Sequence, residues 1–390
     1  MNDLPLSGIR IIDLSWIIAG PTATRFLATM GAEVIKIGSA RRPDPSTRGA
    51  PFQAYNQSKL YGSLNISKSR GVELAKDIIS ISDVLIENFA YGVIERLGLS
   101  YEVIRKDNPN IIMVASSGTG HTGPDKEYVA YGSLLQYYTG WNSISGHPDS
   151  PPVKGGLWAD PWVGMELAMV ISAALSNRVI TGQGQYIDFS MAEALTAAIP
   201  EALLDFQMND RVKEPQGNSD DWLFPHGVYR CAGNDRWIAI VINTHTEWLS
   251  LCNVIKRTDL GDNPEFIRPA GRMNHQSQIN DAITKWTETV NDYDAMKILQ
   301  DAGIPAGPSL DIARVFENQQ LRQGGYFKNI ESNDGITREM PSLGWRFKEE
   351  KEPYLTSAPV LGQHNDYVFR KLLGLTETEI ERLIAEKIIY

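Results

Sequence analysis

One short stretch of the sequence has the composition of a reaction centre. It reads Gly155-Gly156-Leu157-Trp158-Ala159-Asp160-Pro161-Trp162-Val163-Gly164 and precedes a strongly apolar helix predicted over residues 165–177. It therefore places one carboxylate, Asp160, at the mouth of a helix, where an ionised carboxylate is favoured and backbone N–H groups can meet an oxyanion. Asp160 is a chemically reasonable nucleophile. The simpler interpretation is that Asp160 caps this helix, with Pro161 at the first helical position.

The elements that must position this carboxylate alternate between short β-branched runs and helical patterns. Strands are predicted at residues 9–14, 33–37, 83–88, 111–116 and 186–190, with helices at 22–30, 71–80 and 101–106. Such alternation predicts an α/β fold with a Rossmann-like, open and mostly parallel sheet covered by helices on both faces. Sheets of this kind bind ligands at the carboxyl ends of their strands.

The chain of 390 residues exceeds the size at which one core keeps growing, so two structural units are expected. Residues 1–203 form the predicted large domain, and residues 222–327 a smaller α+β domain with strands at 227–230 and 237–242. Polar, aperiodic stretches predict linkers at 204–221 and 328–334. A closing helix is predicted at 377–386, capped by Thr376 and Glu379.

Composition excludes several classes of partner. The net charge of −10, without a lysine or arginine run, argues against nucleic acid binding. The longest apolar stretches, such as residues 165–175, are roughly half of the ~20 residues that a membrane span needs. The N-terminal segment lacks the basic and apolar regions of a secretion signal. Two cysteines, Cys231 and Cys252, are too few for a disulfide framework, which fits a reducing cytoplasm, and both are expected to be small buried hydrophobes.

Several cofactor motifs are missing. The segment after the first strand, residues 15–21, contains one glycine, so a dinucleotide fingerprint is absent. The sequence also lacks a Walker A pattern, HExxH, an EF-hand, paired cysteines and Gly-x-Ser-x-Gly. NAD or FAD binding, metal chemistry and serine hydrolysis are therefore poorly supported.

A set of short motifs runs nearly end to end along the chain. They are Leu6-Ser7-Gly8-Ile9-Arg10-Ile11-Ile12-Asp13-Leu14, Ala19-Gly20-Pro21, residues 30–37, residues 83–89 with Gly92, residues 95–99, residues 117–120, Thr122-Gly123-Pro124, residues 182–185 leading to Asp188, residues 302–308, residues 361–365 and residues 372–375. In this order and spacing they resemble the family III CoA transferases, which include formyl-CoA, carnitine and benzylsuccinate CoA transferases (CaiB/BaiF-like proteins).

The resemblance implies covalent catalysis by Asp160. In this family the aspartate attacks an acyl-CoA thioester to give a mixed anhydride and free CoA, and CoA then attacks the aspartyl carbonyl. The incoming acid displaces CoA through a second anhydride. The resemblance further implies an interlocked homodimer, residues 335–390 returning to the large domain, and CoA thioesters as substrates with no permanently bound cofactor. Exclusion of water would protect the anhydride, and Trp158 and Trp162 could help close the pocket.

The resemblance also assigns residues to CoA binding. They are Trp16, Ile17, Ile18 and Ala19 after the first strand, Arg41 or Arg42 after the second, and Asn88, Phe89, Arg96 and Tyr131 further along. Arg96 would meet a phosphate as a permanent cation with planar donors. Gly38 stands where the family usually has an acidic residue after the second strand.

Departures from the family pattern bear on the substrate. Ile18 stands where formyl-CoA transferases use a glutamine, and residues 225–229 replace their glycine-rich loop. Both argue against oxalate or formate and favour a larger or more apolar acid, in the manner of the benzylsuccinate branch. Succinyl-CoA is the donor that family habit suggests. Two alternatives stay open: an α-methylacyl-CoA racemase, although Tyr131 replaces its histidine while His121 and His147 are out of register, and a supporting subunit of a heteromeric enzyme.

Overall fold

The computed structural model describes residues 4–48, 50–152, 155–346, 348 and 352–390, so a few positions of the predicted large domain lie outside the described residues. The chain divides into two compact units. The large unit comprises Met1–Asn142, Lys154–Val212 and Arg322–Tyr390, and the small unit comprises Ser143–Val153 and Lys213–Leu321.

Six parallel strands form the sheet of the large unit, in the order β3-β2-β1-β4-β5-β6. They are β1 Arg10–Asp13, β2 Glu33–Gly38, β3 Leu60–Ser63, β4 Val84–Glu87, β5 Ile112–Ser117 and β6 Gln185–Ser190. Neighbours along a strand face opposite sides, so Ile11 belongs to one core cluster and Ile12 to another. The predicted open parallel α/β sheet is confirmed. Its order reverses between β1 and β4, the place where such folds bind ligands.

Helices cover both faces of this sheet. They are α1 Ala19–Thr29, α2 Ala50–Tyr55, α3 Ser69–Ser80, α4 Val93–Arg96, α5 Tyr101–Asp107, α6 Gly132–Tyr138, α7 Ala159–Thr181, α8 Met191–Thr196 and α9 Pro200–Asn209. Side chains of α1, α7 and α8 pack on one face with Ile11 and Val84. Side chains of α3 and α5 pack on the other with Ile12 and Leu85. Because both faces are covered, the strands are apolar on both sides.

Helix α7 is long and apolar enough, by length and composition, to cross a membrane. The core helix of a soluble protein has the same properties. Val163, Leu167 and Ile171 are fully buried against the sheet and its neighbours. We therefore interpret α7 as a core helix, one that begins six residues earlier than the predicted 165–177 and so includes Asp160.

The small unit has an antiparallel sheet in the order β7-β8-β9. Its strands are β7 His226–Arg230, β8 Trp237–Val241 and β9 Ala306–Pro308, and its helices are α10 His245–Val254, α11 Thr258–Gly261, α12 Pro269–Met273, α13 Gln276–Thr287, α14 Asp292–Asp301 and α15 Ile312–Glu317. Helix α16, Gln319–Gln323, contains the boundary to the large unit. Cys231 and Cys252 are free and buried in the apolar core, as predicted.

The C-terminal segment belongs to the large unit. It contains strands β10 Phe327–Glu331 and β11 Thr337–Pro341, a π-helical segment Asp366–Leu372 and helix α17 Glu377–Ala385. Val368, Phe369 and Leu383 are buried in the core on the α3 face. The predicted capping box of Thr376 and Glu379 is present.

Two stretches predicted to be linkers contain regular structure. Residues 204–209 continue helix α9, and residues 328–331 belong to β10, which pairs with β11. Residues 204–209 are mostly exposed, and of residues 328–331 only Ile330 is buried, so neither stretch shows the apolar periodicity by which a helix or strand is found in a sequence.

Candidate active site

A cavity of about 630 Å³ lies at the carboxyl ends of the strands of the large unit. Pockets of this size accept small-molecule ligands. Its walls come from the segments that follow β1 to β5, from residues 128–131 and from the start of α7. The predicted site residues in these walls are Trp16, Ile17, Ile18, Ala19, Arg41, Asn88, Phe89, Tyr131 and Asp160. Arg96 is exposed at the end of α4 and is not among the lining residues; its guanidinium lies beside Gly92.

Asp160 lies in the first turn of α7. The N-cap residue is Trp158, so Asp160 is the second helical residue and does not cap the helix. Its carboxylate accepts a hydrogen bond from the backbone of Gly132. A Cβ atom at position 132 would lie 2.7 Å from Asp160 Oδ1. A glycine is therefore needed there for the backbone to approach the carboxylate.

A close contact between α1 and α7 fixes where this carboxylate lies. A Cβ atom on Gly164 would come within 2.5 Å of Thr22 Cβ and 2.7 Å of the Ala19 carbonyl oxygen. The glycine lets the two helices touch at the first turn of α1. As a result, Asp160 and the loop that leads into α1 border the same cavity.

Burial dominates the electrostatics of Asp160. Loss of solvent raises the pKa of its carboxyl, and the hydrogen bond from Gly132 lowers it only in part. The helix N-terminus was expected to favour the ionised form, yet the net direction is upward, because burial penalises the charge more strongly. Tyr55 is near enough that burial, together with the charge of Asp160, raises the pKa of its hydroxyl. No local motif in the sequence pointed to Tyr55.

The loop after β1 is tied to the loop after β4. Asn88 Oδ1 accepts from the N–H of Trp16 at 2.7 Å, and Asn88 Nδ2 donates to the carbonyl oxygen of Trp16 at 2.9 Å. The amide of Asn88 thus holds the backbone of the neighbouring loop. The ring of Trp16 packs edge-on against Phe89, with centroids 6.1 Å apart.

Two cations border the cavity at the end of β2. Arg41 and Arg42 are both exposed, and the guanidinium of Arg42 lies 5.0 Å from the ring centroid of Trp16. Guanidinium groups present planar donors that match phosphate oxygens. This part of the wall can therefore hold a phosphate group although the chain as a whole is acidic.

Other wall residues were missed by sequence reasoning. Ser116 and Ser117 end β5, and their buried hydroxyls have no hydrogen-bond partner among the described residues. Ser67 and Met191 also line the cavity. Each of these residues lies within a few positions of a strand end, which is the one signal that could have found them.

Three residues considered from sequence have other contacts. The ring of Trp158 packs on that of Trp141 at a centroid distance of 4.6 Å, and Trp162 Nε1 donates to Glu166 at 2.8 Å. His121 Nδ1 lies 3.0 Å from the hydroxyl of Tyr186. None of Trp158, Trp162 and His121 is among the residues described as lining the cavity. No group of three potential metal ligands occurs in the part of the chain that the structure describes.

A doubly wound parallel sheet, with a cavity at its switch point and a buried carboxylate in the wall, defines an α/β enzyme with a ligand site at the strand ends. Residues 6–365 match the model of CoA-transferase family III, and the chain belongs to this family. It is therefore a transferase, and its family acts on CoA thioesters.

The similarity to individual proteins covers nearly the whole chain. The sequence is 29% identical to a succinyl-CoA–D-citramalate CoA-transferase of Chloroflexus aurantiacus, over 99% of this chain and 98% of the relative. It is 29% identical to the beta subunit of a succinyl-CoA–L-malate CoA-transferase of the same organism, again over 99% and 98%. A solved CAIB/BAIF family protein from Brucella suis is 26% identical and superposes with a TM-score of 0.86, covering 95% of this chain and 100% of that one.

Proposed function

We propose that this enzyme transfers CoA from an acyl-CoA donor to a carboxylic acid through covalent intermediates on Asp160. The observation that carries the proposal is the position of Asp160. Its carboxylate lies in the wall of the cavity with its pKa raised by burial. A carboxylate that has lost solvent is more basic and hence a better nucleophile than an exposed one.

The proposed chemistry has four balanced steps. An Asp160 oxygen attacks the thioester carbonyl, and the C–S bond breaks to give an aspartyl–acyl anhydride and CoA thiolate. The thiolate attacks Asp160 Cγ, which releases the donor carboxylate and leaves an aspartyl-CoA thioester. The acceptor carboxylate attacks the same carbon and expels the thiolate, forming a second anhydride. The thiolate finally attacks the acceptor acyl carbon, so that acyl-CoA leaves and the Asp160 carboxylate is restored. A thiol with a pKa of about 8.5 needs no strong general acid to leave.

The start of α1 supplies donors for the oxyanions of these steps. The backbone N–H groups of Ile18 and Ala19 have no acceptor among the described residues, and both residues border the cavity. In this proposal they stabilise the negative charge that develops on each attacked carbonyl.

CoA itself would lie along the loops after β1, β2 and β4. Trp16 and Phe89 offer apolar wall, and Arg41 or Arg42 would pair with phosphate. Arg96 follows the lining residue Val93 on α4 and, in this proposal, reaches phosphate from the exposed end of that helix.

We propose succinyl-CoA as the donor and an acceptor larger or more apolar than oxalate. The two Chloroflexus relatives carry succinyl-CoA in their names, which supports the donor. Ile17, Ile18 and Val129 are apolar residues of the cavity wall, which supports the acceptor and is compatible with a benzylsuccinate-type acid.

We further propose that the enzyme is a cytoplasmic homodimer. Met169, Val179 and Ile180 on α7 and Met208 on α9 are between 64% and 87% exposed, an apolar surface that a second copy would cover. Light scattering should give twice the chain mass of 43.4 kDa. A monomer that is active only with a paralogue would instead indicate a heteromer of the kind that the relative's name, beta subunit, describes.

Trapping of the intermediate tests the proposed chemistry. The protein is incubated with succinyl-CoA and hydroxylamine, digested, and searched by mass spectrometry for a hydroxamate. We expect modification of Asp160 in the wild type and in Glu166→Gln, a matched control on the same helix, and none in Asp160→Asn. An unmodified Asp160 in an actively transferring enzyme would refute the mechanism.

The same samples separate the alternative functions. Acyl-CoA incubated in D₂O should stay unlabelled at its α-carbon if the enzyme is a transferase. Incorporation of deuterium without CoA transfer would establish a racemase. The absence of both reactions would indicate a supporting subunit. A panel of acids assayed with succinyl-CoA then identifies the acceptor.

A further inference from the structure

Ile17 has a backbone conformation that its side chain disfavours. Its φ is 69°, in the left-handed region that β-branched residues rarely adopt. The residue lies at the turn between β1 and α1 and lines the cavity. Strain of this kind persists only where surrounding contacts enforce it. The question is which contacts enforce it here.

Asp44 supplies the contact to Ile17 itself. The Ile17 N–H lies 3.3 Å from Asp44 Oδ1 and 3.4 Å from Oδ2. The Asp44 carboxylate is nearly fully buried and also accepts from Ser46 N at 2.9 Å and Ser46 Oγ at 2.7 Å. A long-range contact and a local turn therefore share one carboxylate.

Lys36, on the neighbouring strand β2, also holds this loop. Its ammonium group donates to the Ser15 carbonyl oxygen at 2.6 Å and lies 3.5 Å from Asp44 Oδ2. Both charged side chains are at most 2% exposed. Removal of one partner of a buried ion pair strongly destabilises a protein, because the other charge is left buried and unpaired.

Asp44 also belongs to the segment that carries the cations of the cavity. Residues 39–48 follow β2, and Arg41 and Arg42 lie two or three positions before Asp44. One carboxylate thus joins the loop after β1 to the segment after β2. These are two of the three segments that we propose hold the CoA moiety.

We propose that Asp44 is a positioning residue for acyl-CoA: it holds Ile17 in the left-handed conformation and fixes the two arginines relative to that loop. The inference rests on the proposed function of the cavity. Asp44 touches no reacting atom, so its contribution should appear in substrate binding more than in the chemical steps.

Kinetic constants of Asp44→Ala test this role. We expect KM for succinyl-CoA to rise about tenfold or more, the scale of a released backbone strain, with kcat changed by less than about threefold. Affinity for free CoA, measured by calorimetry, should fall by the same factor. Asp301→Ala removes an exposed carboxylate of α14, outside the segments proposed to hold CoA, and should leave KM unchanged.

A double-mutant cycle distinguishes positioning from a general effect on folding. Glycine adopts the left-handed conformation without strain, so in an Ile17→Gly background Asp44→Ala should raise KM several-fold less than in the Ile17 background. Asp44→Asn keeps the shape and one acceptor oxygen, and it provides the same cycle if Asp44→Ala does not fold.

The outcomes are distinct. Three results would overturn the positioning role: a fall in kcat as large as the rise in KM, an unchanged KM, or the same rise in KM in both backgrounds. Transfer by the wild-type enzyme would still support the proposed function in each of these cases. A wild-type protein that neither transfers nor binds CoA would instead refute the proposed function, and this inference with it.

Discussion

Buried polar groups have different consequences in the two units. Beside the cavity of the large unit, Glu87 and Asp160 are carboxyls whose pKa is raised by burial, that of Glu87 to about 8. In the small unit, Arg272 is fully buried, and its guanidinium donates to the carbonyl oxygens of Phe224 at 2.7 Å and Phe266 at 2.9 Å. The carboxyls destabilise the fold when charged, whereas the arginine completes the hydrogen bonding of the backbone. A buried carboxyl with a raised pKa marks a candidate functional group, and of these two carboxyls only that of Asp160 lines the cavity.

The largest effect should come from Asp160→Asn. We expect kcat to fall by about a thousandfold or more, because an amide cannot form the anhydride. The free energy of unfolding should stay the same or rise, because a poorly solvated charge is removed. Steady-state kinetics and urea denaturation measure the two quantities. A loss of unfolding free energy as large as that expected for Arg272 variants would show that Asp160 also stabilises the fold, and would contradict the difference between the two units.

Arg272→Met should show the opposite behaviour. Loss of the guanidinium leaves buried carbonyl groups without a donor, so the free energy of unfolding should fall by about 3 kcal/mol. Arg272→Lys, which retains one donor group, should lose roughly half as much. Urea denaturation followed by tryptophan fluorescence reports the change. A loss below about 1 kcal/mol for the methionine variant would contradict the structural role.

Glu87→Gln should stabilise the protein in a pH-dependent way. Between the unfolded pKa of about 4.5 and the folded pKa of about 8, the folded state keeps a proton that the unfolded state has lost, so stability falls as pH rises. The glutamine variant lacks this dependence and should be more stable than wild type by roughly 4 kcal/mol at pH 8, and by less at pH 5. Thermal melts across this range, with the exposed Glu381→Gln as control, would detect it. A constant difference between variant and wild type would refute the titration.

The smallest effect should come from Lys297→Ala. Lys297 and Asp301 form an i,i+4 pair at 2.9 Å on α14, with both side chains more than two-thirds exposed. Solvent and salt screen such pairs. We expect no measurable change in unfolding free energy in 0.15 M salt, and a clear loss would show that exposed charges also carry stability here.

The sequence predicted the sheet well and its edges poorly. Apolar runs predicted β1, β2, β4 and β5 because these strands are almost wholly buried, and the glycines before it marked the start of β6, a partly exposed edge strand. Strand β3, Leu60–Ser63, escaped notice because it is four residues long and contains Gly62. The hairpin of β10 and β11 was missed because Ile330 is the one buried residue in its two strands, so they carry no apolar alternation.

The candidate site was predicted unevenly for a similar reason. Asp160, Trp16 and Asn88 lie in contiguous motifs, so a family resemblance identified them. Tyr55 is linked to Asp160, and Asp44 to Ile17, only through interactions between distant segments, and no local pattern reports such interactions. The two hydrogen bonds between the side-chain amide of Asn88 and the backbone of Trp16 likewise join distant segments and could not be predicted from the sequence.

The Gly164 contact has a mechanical consequence. Since α1 and α7 touch at van der Waals distance through this glycine, the loop of Ile17 and the carboxylate of Asp160 are carried by one rigid pair of helices. In the proposed mechanism, the distance between a thioester bound against that loop and the attacking carboxylate is then set by the crossing of these two helices. Substitutions in the other walls would then change the cavity volume available to the acid without changing the distance between Asp160 and the thioester carbonyl.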